Sequence, residues 1–126
     1  CGYFAPIVGE IADMGCSATN TMHISNDPVN LKKQVGHKMC FVGGFDTQYM
    51  DKPDTTEAEI RACIDKTIDE LAPGGSWVAQ AGLKTRERNA IVNDELIRYG
   101  STKYTCKRPD YDTIRSDGLA GNPFVK

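Results

Sequence analysis

Helix-period stretches and short strand-like runs alternate along residues 5–99, and this alternation limits the fold more than any composition figure does. Ala5 to Gly15 sets Ile7, Val8, Ile11 and Met14 on one helical face, and Gly15 is placed to stop it. "CSATNTM" reads as a strand from Cys16 to Met22. "SNDPVNLKKQVG" then offers Asp27 as N-cap, Pro28 in the first turn where a missing N–H costs nothing, Leu31 and Val35 as the apolar side, and Gly36 as the stop. "HKMCFVGG" is the clearest strand. Met39 to Val42 are apolar at consecutive positions, as in strands covered on both faces. "TTEAEIRACIDKTIDELAPGG" is the strongest helix, with Thr56 and Glu59 at capping-box spacing and a stripe of Ile60, Cys63, Ile64, Ile68 and Leu71. "SWVAQA" reads as the third strand. Glu87 to Tyr99 is the last helix, with Ile91, Val92, Leu96 and Ile97 inward and Gly100 as its stop.

The order α-β-α-β-α-β-α with helix-length crossovers implies a parallel sheet with right-handed connections. Three such strands do not close a barrel, which takes eight and about 250 residues; this chain has 126. The expectation is therefore α/β: either a small layered unit with two open sheet edges, or about three βα units of a barrel completed by further chain. The first residue, Cys1, is read as the start of a trimmed chain or of a piece of a longer one. Residues 1–100 form the folded region in this reading, and 101–126 an irregular C-terminal tail without a convincing period.

A formal net charge of −2 gives no electrostatic footprint for nucleic acid, and no apolar run is long enough to span a membrane. Five cysteines, an odd number without compact spacing, argue against a disulfide framework and for a reducing, cytoplasmic compartment. Cys16 and Cys40, within or at the start of strands, read as core.

In parallel α/β folds the ligand crevice lies beyond the C-terminal ends of the strands. His23 and Ser25 follow the first strand. Gly44, Phe45, Asp46, Thr47, Gln48 and Tyr49 follow the second, and Gly82, Lys84, Thr85 and Arg86 the third. Phe45 and Tyr49 suit stacking on a flat ligand. Asp46 suits accepting from ring N–H groups or holding a cation, and equally suits capping a turn after Gly43-Gly44. His23 has a loop or core reading beside its functional one. Lys84, Arg86 and Arg88 read as a solvated turn entering a helix. "VGGFD" lacks the GxGxxG spacing and is read as not directly followed by a helix. His37 falls before the second strand, at the end opposite the crevice.

Taken together, "CG" before a helix, "GCSATN", "NLKKQVGHKMCFVGGFDTQ", "PDTTEAEIRACIDKTIDELAPGGSWVAQAG" and "NAIVNDELIRYG" resemble the C-terminal part of the uroporphyrinogen decarboxylase superfamily, over roughly Cys1 to Gly100. "VGGFDTQ" and "APGGSW" are the most specific elements, and the first is closer to the cobalamin-dependent methyltransferase-like members. The resemblance implies the C-terminal portion of a (β/α)8 TIM barrel and methyl transfer with a corrinoid carried by a partner protein. It also implies zinc held by a His-x-Cys pair and a distant Cys. Cys1 matches the cysteine of the pair. Its His would stand before the chain's first residue, and Ala81 occupies the region of the distant Cys.

The alternative within the family is cofactor-free decarboxylation of tetrapyrrole acetate groups. The Gly-His-Gly-like loop of that branch is here Ala81-Gly82-Leu83-Lys84, and Lys84 or Arg86 would pair with substrate carboxylates. Either enzyme would use Phe45, Asp46, Gln48, Tyr49, His23 and Lys84 toward substrate. A reading of another class is a non-catalytic partial domain that binds the rest of a barrel, or another copy of the chain, through its sheet edge.

Overall fold

The computed structural model describes residues 2–103; Cys1 and the stretch 104–126 of the expected tail lie outside the described residues. Three strands, β1 (Ala18–Met22), β2 (Cys40–Gly43) and β3 (Trp77–Val78), form one parallel sheet in the order β1-β2-β3. The helices are α1 (Val8–Asp13), α2 (Pro28–Val35), α3 (Thr47–Met50), α4 (Glu57–Leu71) and α5 (Arg86–Lys103), with three short 3-10 turns at Ala5–Ile7, Ile24–Asn26 and Gly36–Lys38.

Local chemistry explains the main boundaries. Asp27 takes a left-handed conformation (φ 51°) and accepts from the Asn30 N–H, so α2 starts at Pro28. Thr56 and Glu59 form the reciprocal capping box of α4. At the other end of α4, the Lys32 ammonium donates to the carbonyls of Leu71 and Pro73, closing C-terminal groups that the helix leaves unpaired. Burial lowers the Lys32 pKa. Gly44 has φ +91°, and a Cβ there would stand 2.7 Å from Leu71 Cδ1, so the exit from β2 requires glycine twice over.

Among the described residues the sheet is packed on one face. Phe41 is fully buried among Val8 and Ala12 of α1 and Leu31 and Val35 of α2. Its register partner Trp77 reaches both that cluster and a second one, built from Ile60, Ile64 and Ile68 of α4, Val92 of α5, Phe45 and Met50. Trp77 also donates its indole N–H to the Gly43 carbonyl at 2.8 Å. The alternate positions are different. Cys40 and Val42 are half-buried, Ala18 and Asn20 exposed, and Val78 is 49% exposed.

Several expectations need correction. β1 starts at Ala18 rather than Cys16, and Cys16 is exposed rather than core. β3 is two residues long, Trp77–Val78, instead of six. A helix, α3, does follow "VGGFD" directly, started by the Asp46 cap. α5 runs through Gly100 to Lys103, so residues 101–103 are helical rather than tail; Ser101 and Thr102 donate their hydroxyls to the carbonyls of Arg98 and Tyr99. Ile7, Met14 and Ile97 lie on the rims of their helical stripes, where no further element of the described residues packs, and are 49%, 75% and 73% exposed.

Ile64 is fully buried at the centre of the α4 stripe. Ile64→Ala is expected to cost about 2–5 kcal/mol in urea unfolding, the range for emptying a buried isoleucine site.

Candidate functional site

The polar residues that follow the strands gather at one rim, because parallel strands end on the same side. His23, after β1, caps the 3-10 turn Ile24–Asn26; its Nδ1 accepts from the Ser25 N–H at 3.2 Å, which leaves Nε2 to carry the proton in the neutral ring. Asn26 fixes this turn from within. It is 1% exposed, accepts from the N–H groups of Phe4 and Ala5, and donates to the Gly2 carbonyl at 2.9 Å. That tie joins the start of the described chain to the end of β1.

After β2, the chain turns through Gly44 into α3. Asp46 accepts from the Tyr49 N–H at 3.0 Å and is the N-cap of α3. α3 divides the rim into two clefts. The first, about 420 Å³, is lined by Asp46 and Tyr49, by Ile24 across from them, and by Glu59, Cys63 and Lys66 of α4. The second, about 500 Å³, holds Thr47, Gln48, Asp51, Lys52, Pro53 and Lys84. The sequence-derived candidates are thus separated. Asp46 and Tyr49 share one cleft, and Gln48 and Lys84 the other. His23 stands on the same rim but in neither lining. Phe45 is 3% exposed, with its ring 5.8 Å from that of Trp77, so it supports the rim from the core rather than forming a wall.

Ionisation in the first cleft follows from these contacts. Tyr49 donates to Glu59 Oε1 at 3.3 Å. Its pKa is raised, first by burial and then by the Glu59 charge. The Thr56 N–H, with the Thr56 hydroxyl, holds Glu59 below its ordinary value. Burial pushes the Cys63 thiol up. The cleft therefore presents a phenol and a thiol that keep their protons, the acidic side chains of Asp46, Glu59 and Glu70, and Lys66. It offers hydrogen bonds and charge for binding, with no activated nucleophile.

The cleft lining from α4 was not expected from sequence. Glu59, Ala62, Cys63, Lys66, Thr67 and Glu70 recur at three- and four-residue intervals beside the isoleucine stripe, so a helical projection of α4 contains the signal. Arg88 was read as part of a solvated turn and is instead a brace. Its guanidinium donates to the carbonyls of Met50, Lys52 and Thr55, holding the α3–α4 connection onto α5. The Lys84 N–H donates to Asp51 Oδ1 at 3.0 Å, a second tie to the same connection.

Among the described residues no group of three His, Cys, Asp or Glu side chains comes together in a way that would hold a metal, and Cys1, matched to a zinc ligand, lies outside them. Among the same residues no helix is long and apolar enough to cross a membrane. Comparison of the chain with family models, with curated proteins and with solved structures finds no match.

The two readings of Asp46 separate by substitution. Asp46→Ala is expected to cost about 1 kcal/mol in chemical unfolding, from the lost cap. Asp46→Asn keeps the cap and is expected to leave stability within about 0.5 kcal/mol of the parent, while removing the charge that a ligand would meet.

Proposed function

We propose that the chain is the C-terminal portion of a (β/α)8 barrel of the uroporphyrinogen decarboxylase superfamily, and that the barrel serves methyl transfer to or from a corrinoid carried by a partner protein. The observation that carries the barrel reading is the one-sided sheet. In a doubly wound fold the strand order reverses and helices fall on both faces. Here the strands lie in chain order, and every buried sheet side chain faces the helices. In a closed barrel the opposite face is the interior, filled by side chains from the other strands. The rest of the barrel, or another copy of the chain, is the partner that would supply them.

The corrinoid assignment rests on the resemblance of "VGGFDTQ" and "APGGSW". In this proposal Asp46 accepts from donor groups at the edge of the ligand and Tyr49 lies against its flat surface. Gln48 and Lys84 serve the neighbouring cleft, and His23 serves the rim beyond β1. Phe45 holds the rim from below. Zinc at Cys1 would need ligands from beyond the described residues, so no step is derived through a metal. The free thiols of Cys16, Cys40 and Cys63 agree with the cytoplasmic compartment that the proposal implies.

One cleft favours a second reading. Lys52 and Lys84 bring two ammonium groups to one opening of about 500 Å³, suited to the carboxylates of a tetrapyrrole undergoing decarboxylation.

The test is titration of the complete protein with cobalamin and with uroporphyrin, with zinc analysis in parallel. Methyl transfer predicts cobalamin-dependent turnover, and cobalamin binding weakened at least about tenfold by Asp46→Asn, the loss of one charged hydrogen bond. Porphyrin binding weakened by Lys84→Met, without cobalamin turnover, selects decarboxylation. Binding of neither selects a non-catalytic domain and overturns both enzyme readings.

A further inference from the structure

Glu95 is the one charged side chain buried outright among the described residues, and it lies where α5 packs on α4. Its carboxylate is well supplied with donors. Oε2 accepts from Arg61 Nη1 and, at 3.0 Å, from Arg98 Nε, and Oε1 accepts from Arg98 Nη2. Arg61 in turn is shared with Glu57 at 2.8 Å and Asp94 at 2.7 Å. Asp65 of α4 stands across from this group in a different condition. Its Oδ2 is 3.9 Å from Arg98 Nη2, outside hydrogen-bond range, and its Oδ1 is buried with no hydrogen-bond partner. Asp65 Oδ2 and Glu95 Oε1 both face the same Arg98 Nη2, so the two carboxyls, both acceptors, are neighbours. An ionised Asp65 would leave a buried oxygen without a donor and set two carboxylates against each other. A protonated Asp65 becomes a donor to Glu95 and removes both costs.

The geometry points to a proton-dependent joint: the α4–α5 contact is closed by a proton carried on Asp65 and shared with Glu95, and it loosens when that proton leaves. The other charges facing Asp65 do not cancel the effect. On α4, Arg61 lies one turn before it and is engaged by three acids. Asp69 lies one turn after it and adds negative charge. The α5 groups nearest Asp69, Tyr99 and Lys103, bond Asp69 at 2.9 Å each and are occupied there. Arg98, also on α5, gives its short contact to Glu95.

The titration behaviour agrees. Burial, and then the hydrogen bond with Glu95, pushes Asp65 from its ordinary 3.8 up to about 6. Arg98 foremost, and then Arg61, holds Glu95 below the usual carboxylate range. The raised Asp65 value gives stability that is complete below about 3.8 and lost as pH rises through about 6. The lowered Glu95 value gives stability present above 4.5 and lost in stronger acid. The joint is therefore firmest near the ordinary carboxylate range and looser at neutral pH.

The effect extends to the rim. α5 begins with the turn that carries Arg88, and Arg88 holds the α3–α4 connection. A looser α5 weakens that hold, so the order of the segment after Asp46 depends on a proton bound at the far side of α4.

The test is carboxyl carbon NMR of the unmodified chain, followed by thermal unfolding and amide exchange of the parent and of Asp65→Asn. One carboxyl of the pair should titrate near 6. Between about pH 5 and about pH 7 the parent midpoint should fall by about 4 °C or more. Exchange at residues 50–55, corrected for its intrinsic pH dependence, should quicken at least about threefold over the same interval, corresponding to a weakening below one hydrogen bond's worth. Asp65→Asn should flatten both changes. The proposal is overturned if both carboxyls titrate below 4.5, the ordinary glutamate value, or if Asp65→Asn keeps the parent's pH dependence.

Discussion

A parallel sheet whose strands follow chain order, joined by right-handed crossovers, receives its helices on a single face. The rest of this molecule depends on that constraint. It places Phe41 and Trp77 under α1, α2, α4 and α5, and it leaves Val42 and Val78 on the other side with no helix of the described residues against them. It also sends His23, Asp46 and Lys84 to one rim, since all three follow strands that end on the same side.

Two kinds of interaction hold the rim, and they differ in reach. Caps are local: Asp27, Asp46 and Thr56 each bond a backbone N–H three residues on and set where a helix begins. Braces are distant: Arg88 ties α5 to carbonyls between residues 50 and 55, Trp77 ties β3 to Gly43, and Asn26 ties the β1 exit to Gly2, Phe4 and Ala5. Caps specify element boundaries. Braces specify how the elements sit against one another, and hence the shape of the two clefts. The acid pair between α4 and α5 is also a distant contact, and its strength varies with proton concentration.

This division explains what the sequence made legible. The α4 capping box, its isoleucine stripe, the Asp27-Pro28 start of α2 and the parallel order could all be read, because each leaves a periodic or short-range signature. Ile97, Ile7 and Met14 could not be placed. Periodicity assigns a residue to a face but does not say how far the neighbouring element extends, and these three lie past its edge. Arg88 was invisible because a guanidinium that serves carbonyls 33 to 38 residues away has the same local pattern as a solvated one. The helix stop at Gly100 failed because a glycine within α5 keeps helical geometry where hydroxyls at Ser101 and Thr102 bond back to carbonyls one turn before. Asp46 was half legible: its cap is local chemistry, and its place in a cleft came from α4.

The exposure of the sheet face opposite the helices is tested most directly by methyl NMR with a soluble paramagnetic probe. The account predicts strong broadening of Val78 and intermediate broadening of Val42, while Ile64 and Val92 in the helix-side core stay sharp. Val42 and Val78 signals as well protected as those of Ile64 would mean that the second face is already covered, and the barrel reading would lose its support.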